Sequence, residues 1–370
     1  MVYRALGIMS GSSLDGLDMA FVEFHESSGK WEYTIKQTAC YPYSKEWGEK
    51  LKTAISLTAL DYQLLHTEYG HYIGEQVNRF VNDHQLHYQV QLIGSHGHTT
   101  FHVPQKKMTA QLGDGAAIAA TTGINVVSDL RAIDIALGGQ GAPIVPIGEK
   151  LLLNQYQYLL NLGGIANISF NNPIQYIAFD ICAANRVLNM LCNEIGKEFD
   201  ENGAIAQTGS VDENLLSQLN KLDYYQKAYP KSLANDFGTD IVYPMIKKAS
   251  LKTNDSIRTY VEHIAYQIAS GIKKANENDK PLINEGSNAK LLVTGGGANN
   301  NFLVERLQEY LKVLHIDVVI PDKQLIDFKE AIVMALIGVL RWRENNNVLS
   351  SVTGASRDSI GGAVWIGQDA

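Results

Sequence analysis

Tyr158-Leu-Leu-Asn-Leu-Gly-Gly-Ile-Ala-Asn-Ile-Ser-Phe170, followed by the apolar run Tyr176 to Phe179 and then Asp180, decides the fold. The run Tyr158 to Leu162 breaks at Gly163-Gly164 and resumes from Ile165 to Phe170. Glycine tolerates positive φ and lets a ligand approach the backbone closely. Two apolar runs joined by a small polar turn predict a β-hairpin whose tip offers amide N–H groups to an anion. Asp180 closes a third apolar run as a carboxylate at the mouth of a sheet. Alone, the segment is also compatible with an ordinary hairpin and a capping aspartate.

A second copy strengthens the first reading. Tyr3-Arg-Ala-Leu-Gly-Ile-Met-Ser-Gly-Ser-Ser-Leu-Asp-Gly-Leu-Asp18 leads into Met19 to Phe24 with the same order of strand, Gly/Ser turn and strand. Two such units in the two halves of the chain indicate a duplicated α/β domain with a phosphate-gripping turn in each half.

The chain has 370 residues, enough for two domains, with 45% hydrophobic and 19% charged residues. A net charge of −8 without a basic run argues against nucleic acid as a partner. The apolar residues after Arg4 are too few for a signal core, and no apolar stretch is long enough to span a membrane. The three cysteines, Cys40, Cys182 and Cys192, form no Cys-x-x-Cys pair, so neither a disulfide frame nor a zinc site is indicated. The expected location is cytoplasmic.

Periodicity predicts a third strand over Trp31 to Pro42 and two amphipathic helices between Ser44 and His84, with Leu60, Leu64, Leu65, Ile73, Val77 and Phe80 among their apolar positions. Val90 to Gly94 reads as a buried strand ending in Ser95-His-Gly-His-Thr99, where α/β sheets place ligand contacts. Further strands are expected at Met108 to Leu112, Ile124 to Val127, Lys290 to Thr294 and Val318 to Pro321. Further helices are expected at Gly115 to Thr121, Arg186 to Glu194, Glu213 to Leu222, Ser256 to Asn276, Phe302 to Leu311 and Phe328 to Asn345, the last with Glu330 near its start. The glycine-dense Leu137-Gly-Gly-Gln-Gly-Ala-Pro-Ile-Val-Pro146 reads as a shaped binding loop or hinge rather than a flexible linker. The expected division is 1–145 and 146–370, with the C-terminal helix a possible addition to the first domain.

The glycine turns Gly11 to Gly16, Gly163-Gly164 and Gly295 to Gly297 are not Walker A loops and do not form a dinucleotide fingerprint. Three such turns, each after an apolar strand, suit a nucleotide held between lobes. Phosphoryl transfer needs a carboxylate to take a proton and oxygen ligands for Mg²⁺. Among Asp15, Asp18, Asp129, Asp134, Asp180 and Glu330, Asp180 is best placed as base, and Asp15 and Asp18 flank the first turn where a metal-bound phosphate would lie. Alternate residues His96, His98 and His102 share one side of an extended strand, but no carboxylate or cysteine completes a metal set, and recognition of a sugar hydroxyl or carboxylate is the preferred reading.

Gly7-Ile-Met-Ser-Gly-Ser-Ser-Leu-Asp-Gly-Leu-Asp18, Gly94-Ser-His-Gly-His-Thr99, Asp129-Leu-Arg-Ala-Ile-Asp134 and Gly138-Gly-Gln-Gly-Ala-Pro143 resemble motifs of the anhydro-N-acetylmuramic acid kinase family. So do Asn161 to Ser169, Phe179-Asp180, Pro230-Lys-Ser232, Thr294-Gly-Gly-Gly-Ala-Asn299 and Val352-Thr-Gly-Ala355, in order over nearly the whole chain. The resemblance implies the two-lobed actin-like ATPase fold of the sugar kinase/actin/Hsp70 superfamily: α/β, with duplicated ribonuclease-H-like domains around a central nucleotide cleft. It implies ATP and Mg²⁺ as cofactors and phosphorylation of O6 of 1,6-anhydro-N-acetylmuramic acid coupled to hydrolytic opening of the anhydro bridge, a peptidoglycan-recycling step.

By the same resemblance, Asp180 is the catalytic base. Gly11, Ser12, Ser13, Asp15, Gly16 and Asp18, with Gly163, Gly164 and Asn167, grip the ATP phosphates. Gly295, Gly296, Gly297 and Asn299 lie against adenosine; His96, Arg131 and Glu330 face the sugar; Asp15 and Asp18 hold Mg²⁺. Partners are limited to the small anhydrosugar, without nucleic acid or membrane, and with a homodimer as an assembly to test. The family usually follows the catalytic aspartate with x-Gly-Pro-x-Asn, whereas this chain has Asp180-Ile-Cys-Ala-Ala-Asn185, and Leu-Ala-Asn-Asp-Phe follows Ser232 in place of Thr-Gly-Arg-Glu. These departures leave two alternatives: a kinase for another 1,6-anhydrosugar such as levoglucosan, or a catalytically inactive ATP-binding homologue.

Overall fold

The computed structural model describes residues 1–11, 13–172, 174–229, 231–234, 236–278 and 288–367, with Asn278 described by its backbone alone. The chain divides into two compact units, one of Met1–Leu153 with Phe328–Ala370 and one of Asn154–Asp327. The first unit thus runs past the 145/146 division expected from sequence and takes back the C-terminal segment, because most of the helix Lys323–Trp342 packs into its core.

In the first unit the strands are β1 (Val2–Ser10), β2 (Gly16–Ser27), β3 (Lys30–Pro42), β4 (Leu92–Val103), β5 (Met108–Leu112) and β6 (Asn125–Ser128). β1, β2 and β3 form an antiparallel meander; β4 adds parallel to β1, and β6 parallel to β4. The C-terminal strand Ala363–Trp365 extends the β6 edge and β5 pairs with β4. The second unit repeats the plan. β7 (Tyr158–Leu162), β8 (Ile165–Asn171) and β9 (Tyr176–Ala183) form the meander, β10 (Ala289–Thr294) lies parallel to β7, and β11 (Ile316–Val319) parallel to β10. The matching orders β3-β2-β1-β4-β6 and β9-β8-β7-β10-β11 are the duplication that the two glycine hairpins announce. They give the chain the α/β, duplicated ribonuclease-H-like topology of the actin-like ATPase class.

Each sheet is stabilised by a helix whose apolar stripe it buries. In the second unit Val261, Ile264, Ile268 and Ile272 of the helix Thr253–Asn278 are fully buried, as their spacing predicts. In the first unit the buried stripe of the helix Ala59–Asp83 is Leu65, Tyr69, Ile73, Val77 and Phe80. Leu60 and Leu64 lie off that stripe and are 69% and 60% exposed, a correction to the apolar face read from sequence.

The helix Lys323–Trp342 begins earlier than its periodicity suggests, which puts Glu330 mid-helix rather than near the start. It crosses the sheet so closely that a Cβ on Gly7 would stand 1.7 Å from the Ala331 carbonyl oxygen, and one on Gly94 would stand 2.1 Å from that of Met334. Neither backbone atom can swing aside as a side chain would. Gly7→Ala is therefore expected to destabilise the protein by about 3 kcal/mol, read as a fall in its urea midpoint. A buried ion pair, Lys329 Nζ to Glu149 Oε1 at 2.9 Å, joins this helix to the short helix Pro146–Leu152. No described helix is long and apolar enough to cross a membrane.

Candidate active site

In the second unit, strand register assembles a polar row on one sheet face. Thr294 lies beside Asn161, Asn161 opposite Asn167, and Asn167 opposite Asp180. Immediately beyond, Ala166 pairs with Cys182, so Ile181 is the extra residue of a β-bulge, a device that re-aims side chains beside functional sites. Asp180 therefore sits within β9 rather than at its end. Its backbone is held twice: its N–H donates to the Lys231 carbonyl at 3.1 Å and its carbonyl accepts from the Tyr224 hydroxyl at 2.7 Å. The Leu233 N–H donates to Oδ2 at 2.8 Å, while no described group donates to Oδ1. Burial raises the carboxyl above the ordinary aspartate pKa and the Leu233 amide only partly opposes it. The result is a carboxylate oriented through one oxygen, the other without a partner among the described residues, and with increased basicity.

The glycines of the three turns separate into two kinds. A Cβ on Gly16 would come 2.6 Å from the Tyr41 carbonyl oxygen and one on Gly297 would come 2.7 Å from Leu162 Cβ, so packing alone requires them. Gly295 has a φ of +80° and no room either. By contrast, Gly11, Gly163, Gly164 and Gly296 are outside the left-handed region, and among the described residues a Cβ on any of them would meet no atom closer than 3.4 Å. The expectation that Gly163-Gly164 exploits positive φ is therefore corrected: neither does. Their carbonyls accept from Asn185 N–H (3.1 Å) and Ala184 N–H (2.8 Å), which clamps the start of the helix Asn185–Asn193 onto the turn. Their own N–H groups have no acceptor among the described residues.

Cys182 and Ala183, which stand where the family has Gly-Pro, complete β9, and Ala184 has a φ of −131°, so none of this backbone requires glycine. Asn185 keeps a structural task, donating to the Leu162 carbonyl at 2.8 Å. Asn299 is exposed at the end of the turn Gly296–Asn299.

In the first unit, the end of β1 is pinned by a hydrogen-bonded series. Tyr43 donates to Ser10 Oγ at 2.7 Å, Ser10 Oγ meets His98 Nδ1 at 3.0 Å, and Tyr43 and Tyr69 hydroxyls meet at 2.6 Å. Beyond it Gly11 is half-buried, Ser13 and Asp15 are exposed, and Asp18 is half-buried within β2; Ser12, like Pro230, lies outside the described residues. Among the described residues no three His, Cys, Asp or Glu side chains gather as a metal cage. Two carboxylates beside a turn nevertheless suit Mg²⁺, which keeps several waters and takes one or two carboxylates plus phosphate oxygens.

His96, Arg131 and Glu330 do come together, although the histidines lie inside β4 rather than past its end. Arg131 Nε–H donates to His96 Nε2 at 2.9 Å, so the imidazole proton is on Nδ1, which donates to the Gly97 carbonyl at 2.8 Å. Burial and the Arg131 charge hold the His96 pKa down to about 3, so the ring is neutral. With both nitrogens committed, His96 orients Arg131 rather than meeting a ligand through a free nitrogen. Burial brings the Arg131 pKa down to about 10, opposed by Glu330 and Asp134; the guanidinium stays charged. Arg131 Nη1 donates to the Gly141 carbonyl. Its Nη2 has no described partner, and the exposed Glu330 lies near enough to favour its charge.

Asp134, an acid candidate by sequence, is fully buried and bonded within the protein, which removes it from proton transfer. Sequence reasoning missed Asn161 and Thr294, which only strand register reveals, and Lys231 and Leu233, whose backbones orient Asp180 from a loop without periodicity.

A model of the anhydro-N-acetylmuramic acid kinase family matches residues 3–367. The chain belongs to the anhydro-N-acetylmuramic acid kinase family. It is 34% identical to the anhydro-N-acetylmuramic acid kinase of Vibrio parahaemolyticus, with 95% of each chain covered, and 32% identical to that of Hydrogenovibrio crunogenus, with 97% of each covered. As a member of the anhydro-N-acetylmuramic acid kinase family it is a phosphotransferase. Among solved structures it is similar to the activator of 2-hydroxyisocaproyl-CoA dehydratase from Clostridium difficile with bound ADPNP (TM-score 0.46, 12% identity, 92% of this chain and 96% of that one). It is also similar to a ROK family protein from Streptococcus pneumoniae TIGR4 in complex with sucrose (TM-score 0.38, 8% identity, 92% of this chain and 99% of that one).

Proposed function

We propose that the protein phosphorylates 1,6-anhydro-N-acetylmuramic acid with ATP while water opens the anhydro bridge, giving N-acetylmuramic acid 6-phosphate and ADP in cytoplasmic peptidoglycan recycling. The observation that carries this reading is Asp180: a carboxylate oriented through Oδ2, without a described donor at Oδ1, made more basic by burial and set on a polar row. Asp180 takes a proton from water; the water oxygen bonds to C1 as the C1–O6 bond breaks; O6 attacks the γ-phosphorus and ADP leaves. Strain in the bicyclic sugar favours the bridge as a leaving group, and positioning supplies much of the rest.

Gly163, Gly164 and Gly296 are assigned to ATP because neither φ nor packing accounts for them. Gly11 is assigned to phosphate on the same ground, and Ser12 and Ser13 by their place in the same turn. Gly16, Gly295 and Gly297 shape their turns from within. Asn167 and Asn299 complete the nucleotide contacts. Asp15 and Asp18 would hold Mg²⁺, which when bound neutralises charge on the transferring phosphoryl group. Arg131 takes the lactyl carboxylate and Glu330 a hydroxyl of the sugar.

Sugar-dependent ADP release, with ATP and Mg²⁺ present, tests the activity. Release with 1,6-anhydro-N-acetylmuramic acid and little with levoglucosan supports it; ATP binding without sugar-dependent release leaves only a nucleotide-binding role. Gly164→Val is expected to raise KM for ATP roughly tenfold with KM for the sugar nearly unchanged, since its Cβ would clear Arg186 at 3.7 Å while the added methyls would crowd the place assigned to the phosphates.

A further inference from the structure

The glycine-dense loop after Arg131 is built around one buried carboxylate. Asp134 Oδ2 accepts from the Gly141 N–H at 2.7 Å, and Oδ1 accepts from the Thr353 hydroxyl at 2.7 Å. Thr353 also accepts the Gln140 N–H on its carbonyl at 2.8 Å, so it touches both the loop and its anchor. The fit is close: a Cβ on Gly139 would stand 2.3 Å from Asp134 Oδ2, and one on Gly141, whose φ is +66°, would stand 2.7 Å from Ile135 Cδ1. Gly141 is thereby held at its N–H by Asp134, and its carbonyl receives Arg131 Nη1. His96 holds Nε of the same guanidinium. The two fixed points determine where Nη2 points.

We propose that Asp134 and Thr353 are positioning residues for sugar specificity: through the Gly141 peptide they fix the Arg131 guanidinium in the orientation that receives the sugar's carboxylate. The inference rests on the reading of Arg131 given under Proposed function. A side chain that only stabilised the fold would lower activity on every substrate alike. Residues acting through Arg131 discriminate between sugars with and without the acid.

The test compares KM for 1,6-anhydro-N-acetylmuramic acid with KM for 1,6-anhydro-N-acetylglucosamine, which has the same bicyclic ring and no lactyl group. Wild type is expected to favour the acid, and Arg131→Ala to abolish that preference. Thr353→Val, which removes the hydroxyl and keeps the side chain's shape, is expected to raise KM for the acid roughly tenfold, leaving kcat, KM for ATP and KM for the neutral sugar close to wild type. Thr353→Ser restores the preference, and Asp134→Asn reproduces the Thr353→Val pattern. Equal losses on both sugars, or failure of both Thr353→Val and Asp134→Asn to fold while Thr353→Ser folds, would assign a purely structural role and overturn the proposal. A wild type without preference, or an Arg131→Ala variant that keeps it, would instead overturn the carboxylate assignment, and the positioning role with it.

Discussion

Asp180→Asn is expected to lower kcat roughly a thousandfold while leaving the fold and ATP binding intact. The amide keeps the shape that accepts the Leu233 N–H at Oδ2, so the loss isolates proton transfer. A pH profile checks the same assignment. The base must be deprotonated to work, and burial raises its pKa, so kcat/KM falls as pH drops through a value above the ordinary aspartate range. That acid limb is expected to be absent from the residual activity of Asp180→Asn. Substantial turnover by the variant, with an unchanged limb, would remove Asp180 from the chemistry.

Arg131→Ala carries the second large effect: KM for 1,6-anhydro-N-acetylmuramic acid is expected to rise about a hundredfold, corresponding to roughly 2–3 kcal/mol from a lost charge-assisted contact. The change in kcat is expected to be smaller, because the carboxylate proposed to meet Arg131 lies away from the reacting bonds. Arg131→Lys restores little, since an ammonium cannot satisfy His96 Nε2 and the Gly141 carbonyl while also presenting a planar pair of donors. Steady-state kinetics with sugar varied at saturating ATP separates the two parameters.

What could be read in the sequence was local and repeated. The two glycine hairpins, the strand ending at Thr294 and the helix stripe Val261-Ile264-Ile268-Ile272 follow from apolar period and turn chemistry, and the duplicated sheet orders grow out of them. What escaped was set by contacts distant in sequence. Leu60 and Leu64 fit a helical period as well as Tyr69 does, and only tertiary packing chooses Tyr69 for the core. His96 looks like a ligand-facing residue until Arg131 and the Gly97 carbonyl occupy both ring nitrogens. Asp134 reads as one more acidic candidate, because its partner Thr353 is far along the chain. The glycines were legible as a set but not individually. Spacing cannot separate Gly297, which Leu162 requires, from Gly164, which no described residue of its unit requires.

The most direct test of coupled ring opening and phosphoryl transfer is turnover of 1,6-anhydro-N-acetylmuramic acid with ATP and Mg²⁺ in ¹⁸O-labelled water, followed by mass analysis of the sugar product before its anomeric oxygen exchanges. One ¹⁸O at C1 and a phosphate at O6 on the same molecule are expected. A phosphorylated sugar that retains its anhydro bridge, or a product with ¹⁸O in the phosphoryl group, would contradict that expectation.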